Sequence, residues 1–324
     1  MTDPADIASR DSSATPQPHG LLVLDKPPGP SSYDCIRSLR RSCSLSRKWK
    51  MGHLGTLDPF ASGVLVIALG RAVRYAEYAL GSRKKYRARL WLGEETDTLD
   101  PTGKVIRAAP IPPDWTDRLR EIIPSFVGRM EQVPPLYSAK QVNGRRSYKA
   151  ARRGESIDLS PAEVEIFSLE IADTGENYLD FTTEVSGGTY IRSLGRDIAL
   201  ALGTVGHLVG LERLAAGPFT IGDAIPLRAF EVGGSHVLEH HLHPVDRILD
   251  HLPSCRARDG AQEKIAHGRI LHRDDLADDL SCVVGGPDAI RIVDSEGRFL
   301  SLGRMRNDPA GVVPFKQWEI EHAS

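Results

Sequence analysis

The sequence predicts an α+β chain: a mixed α/β domain followed by a smaller β-rich unit. Strand-like apolar runs and amphipathic helical runs alternate irregularly over residues 20–220, with hairpin-like polar joins that argue against a strict βαβ repeat. Neither GxxxxGK[ST] nor a strand-linked GxGxxG occurs, so a nucleotide cofactor site is not indicated. Near Gly233 the composition shifts to Gly and His, and beyond it "IRIVDSEGRFLSLGRM" reads as strand, tight turn and strand.

In chain order, "GLLVLDKPPGPSSYDCIRSLRRSC" begins with a strand from Leu21 to Leu24, stopped by a Pro/Gly turn. Ser31 or Ser32 then caps a helix whose apolar face includes Ile36 and Leu39. "VLVIALGRAVRYAEYAL" is a dense apolar strand followed by a helix or helical turn. "KKYRARLWLG" alternates, with Tyr86, Ala88, Leu90 and Leu92 on one side. "GEETDTLDPTGKVIRAAPIP" is a polar turn beside a second strand-like piece, and "DWTDRLREIIPSFVG" is a helix that stops at or just before Pro124. A Pro-rich loop leads to a basic helix from Ser147 to Arg153, strands resume at Val164, and "YLDFTTEVSGGTYIRSLGRDIALALG" gives a strand, a Gly-Gly turn and a helix ending near Gly203.

With 324 residues, 40% apolar and 26% charged, the composition is that of a soluble globular protein with room for one good-sized domain and a smaller one. Cys35, Cys43, Cys255 and Cys282 are widely spaced, which argues against a disulfide framework or thiolate metal site and suits a reducing, cytoplasmic setting. The first 18 residues read as a disordered leader, and no 18-residue apolar run suggests a membrane span. His236 and His240 can share a helical face near His241 and His243. No Cys or paired carboxylate accompanies them at firm spacing, so they read as a polar helix end or linker and no metal site is assigned.

The net charge of −2 says nothing about nucleic acid, but its distribution does. Three runs are basic: Arg37, Arg40, Arg41, Arg47, Lys48 and Lys50; Arg83, Lys84, Lys85, Arg87 and Arg89; and Lys140, Arg145, Arg146, Lys149, Arg152 and Arg153. Interleaved with Tyr86, Tyr137 and Tyr148, they favour a surface that tracks phosphates and stacks bases over three solvated faces. "GHLGTLDPFASG" at residues 52–63 holds a single carboxylate, Asp58, among glycines. Asp before Pro is a common turn pair, so a surface turn is the plain alternative to a reactive group there.

Six segments, in this order, resemble the bacterial tRNA pseudouridine-55 synthase family of the TruB type: "GLLVLDKPPGPSS", "GHLGTLDPFASGVLVIALG", "RKKYRARLWLGEETDTLDPTG", "PPLYSAKQVNGRRSYKAARRG", "SGGTYIRSLGRDIALALG" and "TVGHLVGLERLAAGPF". They cover nearly all of residues 20–220. The resemblance implies an α+β pseudouridine synthase catalytic domain with a mixed, largely antiparallel sheet over residues 19–235. It further implies a linker over 236–250 and a PUA-like RNA-binding domain over 251–320. The implied activity is isomerisation of uridine 55 in the T loop of tRNA, with no metal or organic cofactor. The implied partner is the tRNA T arm, without guide RNA, membrane or obligatory protein partner.

The resemblance also implies roles. Asp58, in G-x-L-D-P form, matches the nucleophile; Tyr86 matches the tyrosine that stacks on the flipped uracil and is a candidate for removing the C5 proton; Arg192 matches the basic partner that keeps Asp58 ionised. His53 matches a residue that fills space near the displaced base, Asp100 a member of the active-site hydrogen-bond network, and Leu211 a pocket wall. Lys26 belongs to a strand-to-loop motif that touches RNA or lies behind the pocket. Arg145, Arg146 and Lys149 join the expected RNA face. The family stretch Pro-Pro-x-Tyr-Ser-Ala-x-Lys appears here as "PPLYSAKQ", with Lys140 in the variable place and Gln141 in the lysine place, so that contact falls to Lys140 or is absent.

Overall fold

The computed structural model describes residues 18–137, 141–142, 145–146, 160–278, 289–307 and 310–318. The chain enters through β1 (Gly20–Lys26) and reaches α1 (Ser32–Ser42), β2 (Met51–His53) and β3 (Ser62–Leu69). A 3-10 turn leads to α2 (Ala76–Leu80) and β4 (Lys84–Leu92); β5 (Glu94–Thr96), β6 (Val105–Ala108), α3 (Trp115–Ile122) and β7 (Gly128–Gln132) follow. Next come β8 (Gln141–Val142), β9 (Arg145–Arg146), β10 (Ala162–Thr174), β11 (Tyr178–Val185), α4 (Ile191–Ala201) and β12 (Gly206–Ala216). The chain continues through β13 (Phe219–Thr220), β14 (Ile225–Pro226), α5 (Leu227–His240) and β15 (Leu242–His243). The last elements are β16 (Ser254–Arg256), α6 (Gln262–Ala266), β17 (Ile290–Val293), β18 (Phe299–Asn307) and β19 (Ala310–Gln317).

The large sheet runs β14-β1-β3-β12-β4-β11-β10-β7, with β13, β15 and β2 at its margins. It is mixed and largely antiparallel, as the resemblance implies; the parallel joins are β1 to β14 and β12 to β3. Strand alternation sorts side chains onto two faces. Leu22, Leu24, Leu65, Ile67, Tyr86, Ala88 and Leu90 meet Ile36 and Leu39 of α1, Leu194 and Ile198 of α4, and Phe230 of α5 in one core. Leu21, Val23, Val64 and Val66 point the other way, to a second core with Ile248, Leu249, Phe299 and Leu302. The C-terminal unit has its own four-stranded sheet, β16-β17-β18-β19, and a small core that includes Ile265, Leu271, Ile290, Ile292 and Val312.

Several local expectations hold for the stated reasons. Ser31 caps α1 in a reciprocal capping box with Asp34. β4 alternates, with Lys84, Tyr86, Ala88, Leu90 and Leu92 buried and Lys85, Arg87 and Arg89 exposed. α3 gives way to a 3-10 turn carrying Pro124, and α4 ends just before Gly203 in a left-handed conformation. The basic helix from Ser147 to Arg153 lies outside the described residues.

Two expectations need correction. The stretch 236–250 is packed against the large sheet. Residues 236–240 finish α5 beyond a break at Gly234 (φ 54°, ψ −136°), β15 pairs with Leu21 and Leu22 of β1, and Val245, Ile248 and Leu249 are buried. Its histidines and the Gly233–Gly234 pair just before it suggest a linker, but its apolar residues recur at spacings that bury one side. The run from Arg83 to Arg89 is likewise a partly neutralised face, with Lys85 exposed. Arg83 faces Glu184, Arg87 faces Glu212 and Arg89 pairs with Asp180, while Lys84 points inward. Among the described residues no helix is long and apolar enough to cross a membrane.

Candidate active site

The loop between β2 and β3 holds Asp58, and its backbone is tied down almost residue by residue. From the β1 end, the buried Lys26 ammonium donates to the carbonyls of Pro59 at 3.1 Å, Ala61 at 2.7 Å and Pro27 at 2.9 Å. Gly29 N–H donates to Pro59 O at 2.7 Å. The Ser32 hydroxyl donates to Leu57 O and accepts from Leu57 N–H, each at 2.9 Å. From β12, Arg213 donates to the carbonyls of Gly55, Thr56 and Val64. The Pro/Gly/Ser turn after β1 is therefore one jaw of a clamp on the Asp58 loop. Sequence reasoning treated Ser32 as an alternative cap; Ser31 takes that role and leaves Ser32 for the loop.

Arg192, the second residue of α4, is 4% exposed. Its start is fixed because Gln132 bonds both the N–H and the carbonyl of Tyr190, and the Ser193 hydroxyl donates to Val133 O. Arg192 Nη2 donates to Asp58 Oδ1 at 3.1 Å and to Tyr137 O at 3.1 Å, and Nη1 donates to Thr98 O at 2.7 Å. Nε lies 2.9 Å from Asp58 Oδ2 but is not aligned for a hydrogen bond. Arg192 and Asp58 are thus an ion pair with one aligned hydrogen bond. The Asp58 side chain remains 29% exposed, so one side of the carboxylate is open to a ligand.

Asp100 is the third member of this group. Its Oδ2 lies 3.3 Å from Arg192 Nη1, and its Oδ1 accepts from the Thr98 and Thr102 hydroxyls and the Thr102 N–H. Burial pushes the Asp58 carboxyl above the ordinary aspartate range; Arg192 and Lys26 pull it back, and Asp100 adds to the rise. The pair with Arg192 therefore offsets the desolvation without cancelling it.

Tyr86 is 6% exposed on the face of β4 that carries Ala88 and Leu90, opposite Thr183 of β11 and Arg213 of β12. Leu211, 9% exposed, lies in the same core and opposite Ala88. His53 ends β2; burial and the nearby Arg213 charge hold its imidazole below the usual range, and its buried Nδ1 has no hydrogen-bond partner among the described residues. Lys26 is 0% exposed with its ammonium occupied by carbonyls, which places it behind the loop. Arg145 and Arg146 form β9, paired with β8; Lys140 and Lys149 lie outside the described residues.

Sequence reasoning missed Ser32 and Arg213. The only signal for either was its place in a recognised segment. Among the described residues no group of three or more His, Cys, Asp or Glu side chains is placed to hold a metal, the His236 and His240 pair included.

Comparison with known proteins identifies the family. Residues 40–191 match the model of the TruB family pseudouridylate synthase N-terminal domain. A Rhodospirillum rubrum protein named tRNA pseudouridine synthase B is 41% identical over 260 residues, 78% of this chain and 83% of the relative. The Thermotoga maritima protein of the same name is 36% identical over 301 residues, 93% of this chain and 94% of the relative. A chain in the crystal structure of a Cbf5-Nop10-Gar1 complex superposes with a TM-score of 0.68 at 25% identity, covering 92% of this chain and 84% of that one. With relatives of this name 36% and 41% identical over most of its length, the chain belongs to the TruB family of pseudouridylate synthases.

Proposed function

We propose that this protein isomerises uridine 55 in the T loop of tRNA to pseudouridine, acting alone and without guide RNA. The observation that carries this reading is the Asp58 carboxylate held against buried Arg192 on a clamped loop and open on one side. The names of the relatives, tRNA pseudouridine synthase B, support tRNA as the substrate. The target base leaves its stack to reach the pocket, which costs less in a loop than in a paired stem. The N1–C1′ bond then breaks, the uracil turns while held, and C5 joins C1′. C5 releases a proton and N1 gains one, so the product is an isomer of the substrate. Ionised Asp58 serves either by attack on the sugar or through a glycal-like intermediate. Tyr86 and Leu211 form the apolar wall on which the uracil rests, Arg192 and Asp100 orient the carboxylate, and His53 fills space beside the displaced base. The C-terminal unit is read as a PUA-like RNA-binding domain.

The likeness to a chain from a multiprotein complex favours one rival, an enzyme guided by separate RNA and proteins. Incubating the purified protein alone with an unmodified tRNA transcript, then mapping pseudouridine at each uridine, separates the readings. Product confined to position 55 is expected. Product only after addition of guide RNA would support the rival, and no product with several prefolded tRNAs would overturn the enzyme reading in favour of binding alone.

A further inference from the structure

Arg213 is 1% exposed, yet its hydrogen bonds to described residues all go to backbone carbonyls: Nε to Val64 at 2.7 Å, Nη1 to Thr56 at 3.2 Å and Nη2 to Gly55 at 3.1 Å. A buried guanidinium with no carboxylate partner among the described residues is a costly way to fill space, and an apolar side chain would serve the core alone at least as well. In the sheet, Arg213 is the register partner of Tyr86 on β4 and of Gly63 on β3. The approach to Gly63 is close: Gly63 has φ +98°, and a Cβ there would fall 2.3 Å from Arg213 O. Arg213 is thus the point where the Tyr86 strand, the Leu211 strand and both ends of the Asp58 loop meet.

We propose that Arg213 is a positioning residue that fixes where the Asp58 carboxylate stands relative to the Tyr86 ring, by fastening residues 55, 56 and 64 to β12. The proposal rests on the isomerase reading and adds a group that touches neither substrate nor reacting atoms. A misplacement of about 1 Å in a reacting pair lowers rate by about 100-fold, which is the size of effect that loss of this clamp is expected to have. After burial, the Arg213 charge is the second cause that holds the His53 imidazole below its usual range, so the His53 ring reports on the presence of Arg213 independently of turnover.

The test compares Arg213→Gln and Arg213→Lys with the parent. In folded Arg213→Gln the single-turnover rate at saturating tRNA is expected to fall about 100-fold, the tRNA Kd to stay within about threefold, and the His53 titration midpoint, read by NMR, to move up. Arg213→Lys, which keeps the charge and part of the donor set, is expected to recover part of the rate and to leave His53 close to the parent. A parental rate in folded Arg213→Gln, a loss confined to Kd, or an unmoved His53 midpoint would overturn the proposal. Should Arg213→Gln fail to fold, Arg213→Lys decides by the same rate criterion; if neither folds, Arg213 serves the fold and the proposal falls. An inactive parent would refute the isomerase reading itself, and the His53 midpoint would still support or overturn the placement of Arg213.

Discussion

Arg192 stands 3.3 Å from Asp100 while its other edge faces Asp58, so two carboxylates share one buried guanidinium. The consequence is an aspartate whose ionisation depends on its neighbour. Burial raises the Asp58 pKa and the Asp100 charge raises it further, so the acid limb of the single-turnover rate is expected above the ordinary aspartate range. Removing the Asp100 charge favours the ionised form of Asp58. Asp100→Asn should therefore move that limb to lower pH. Rates measured from about pH 4 to about pH 8 on prefolded tRNA check the sign; a limb that stays in place or moves up would contradict it.

Asp58→Asn changes charge with little change of shape. Turnover is expected to vanish while tRNA binding stays within about tenfold, or ~1.4 kcal/mol. A carboxyl with a raised folded pKa binds more protons folded than unfolded between its two pKa values, so stability falls as pH rises through the folded value. The Asn variant should thus be no less stable than the parent at neutral pH, as thermal unfolding would show. Parental turnover, or marked destabilisation, would count against the assignment.

Two adjacent serines separate the clamp from the cap. Ser32→Ala removes both hydrogen bonds to Leu57 and leaves buried backbone groups unpaired, with an expected loss of about 1 to 3 kcal/mol and a lower single-turnover rate. Ser31→Ala removes only the α1 cap, at about 1 kcal/mol, and should leave the rate alone. Urea unfolding and single-turnover assays on the two variants test the difference. Equal rate effects would mean that the loop is not held through Ser32.

The contrast between these serines shows what the sequence carries. Periodicity places the strands and helices because the alternation of β4 and the spacing of Ile36 and Leu39 are local consequences of burying one face. Asp58, Tyr86 and Arg192 are legible because they sit in recognisable segments. The clamp is not, because Lys26, Ser32 and Arg213 act on carbonyls up to 158 positions away, and a carbonyl has no letter in the sequence. The packing of 236–250 escaped for a related reason: β15 pairs with β1, more than 200 positions earlier, and only two residues of it do so.

The basic run on α1 and its following loop offers the last test, because it divides affinity from chemistry. Ser32 at the start of α1 touches the Asp58 loop, so the arginines further along the helix radiate from the site. Tyr33, Asp34, Arg37, Arg40, Arg41 and Arg47 line a surface hollow of about 720 Å³. Within it Arg37 pairs with Asp34 and Arg40 holds the loop through the carbonyls of Ser46 and Trp49, whereas Arg41, Arg47 and the neighbouring Lys48 are exposed. Replacing Arg41, Arg47 and Lys48 with Gln should weaken binding to different tRNA sequences alike, since phosphate contacts position a ligand without reading its bases. The slope of log affinity against log salt should become shallower by on the order of 0.7 to 0.9 for each lost contact. The single-turnover rate at saturating tRNA should stay near the parent's, because none of the three touches the group formed by Asp58, Arg192 and Asp100. Unchanged affinity and slope would make this face a solvated one and remove it from the tRNA footprint.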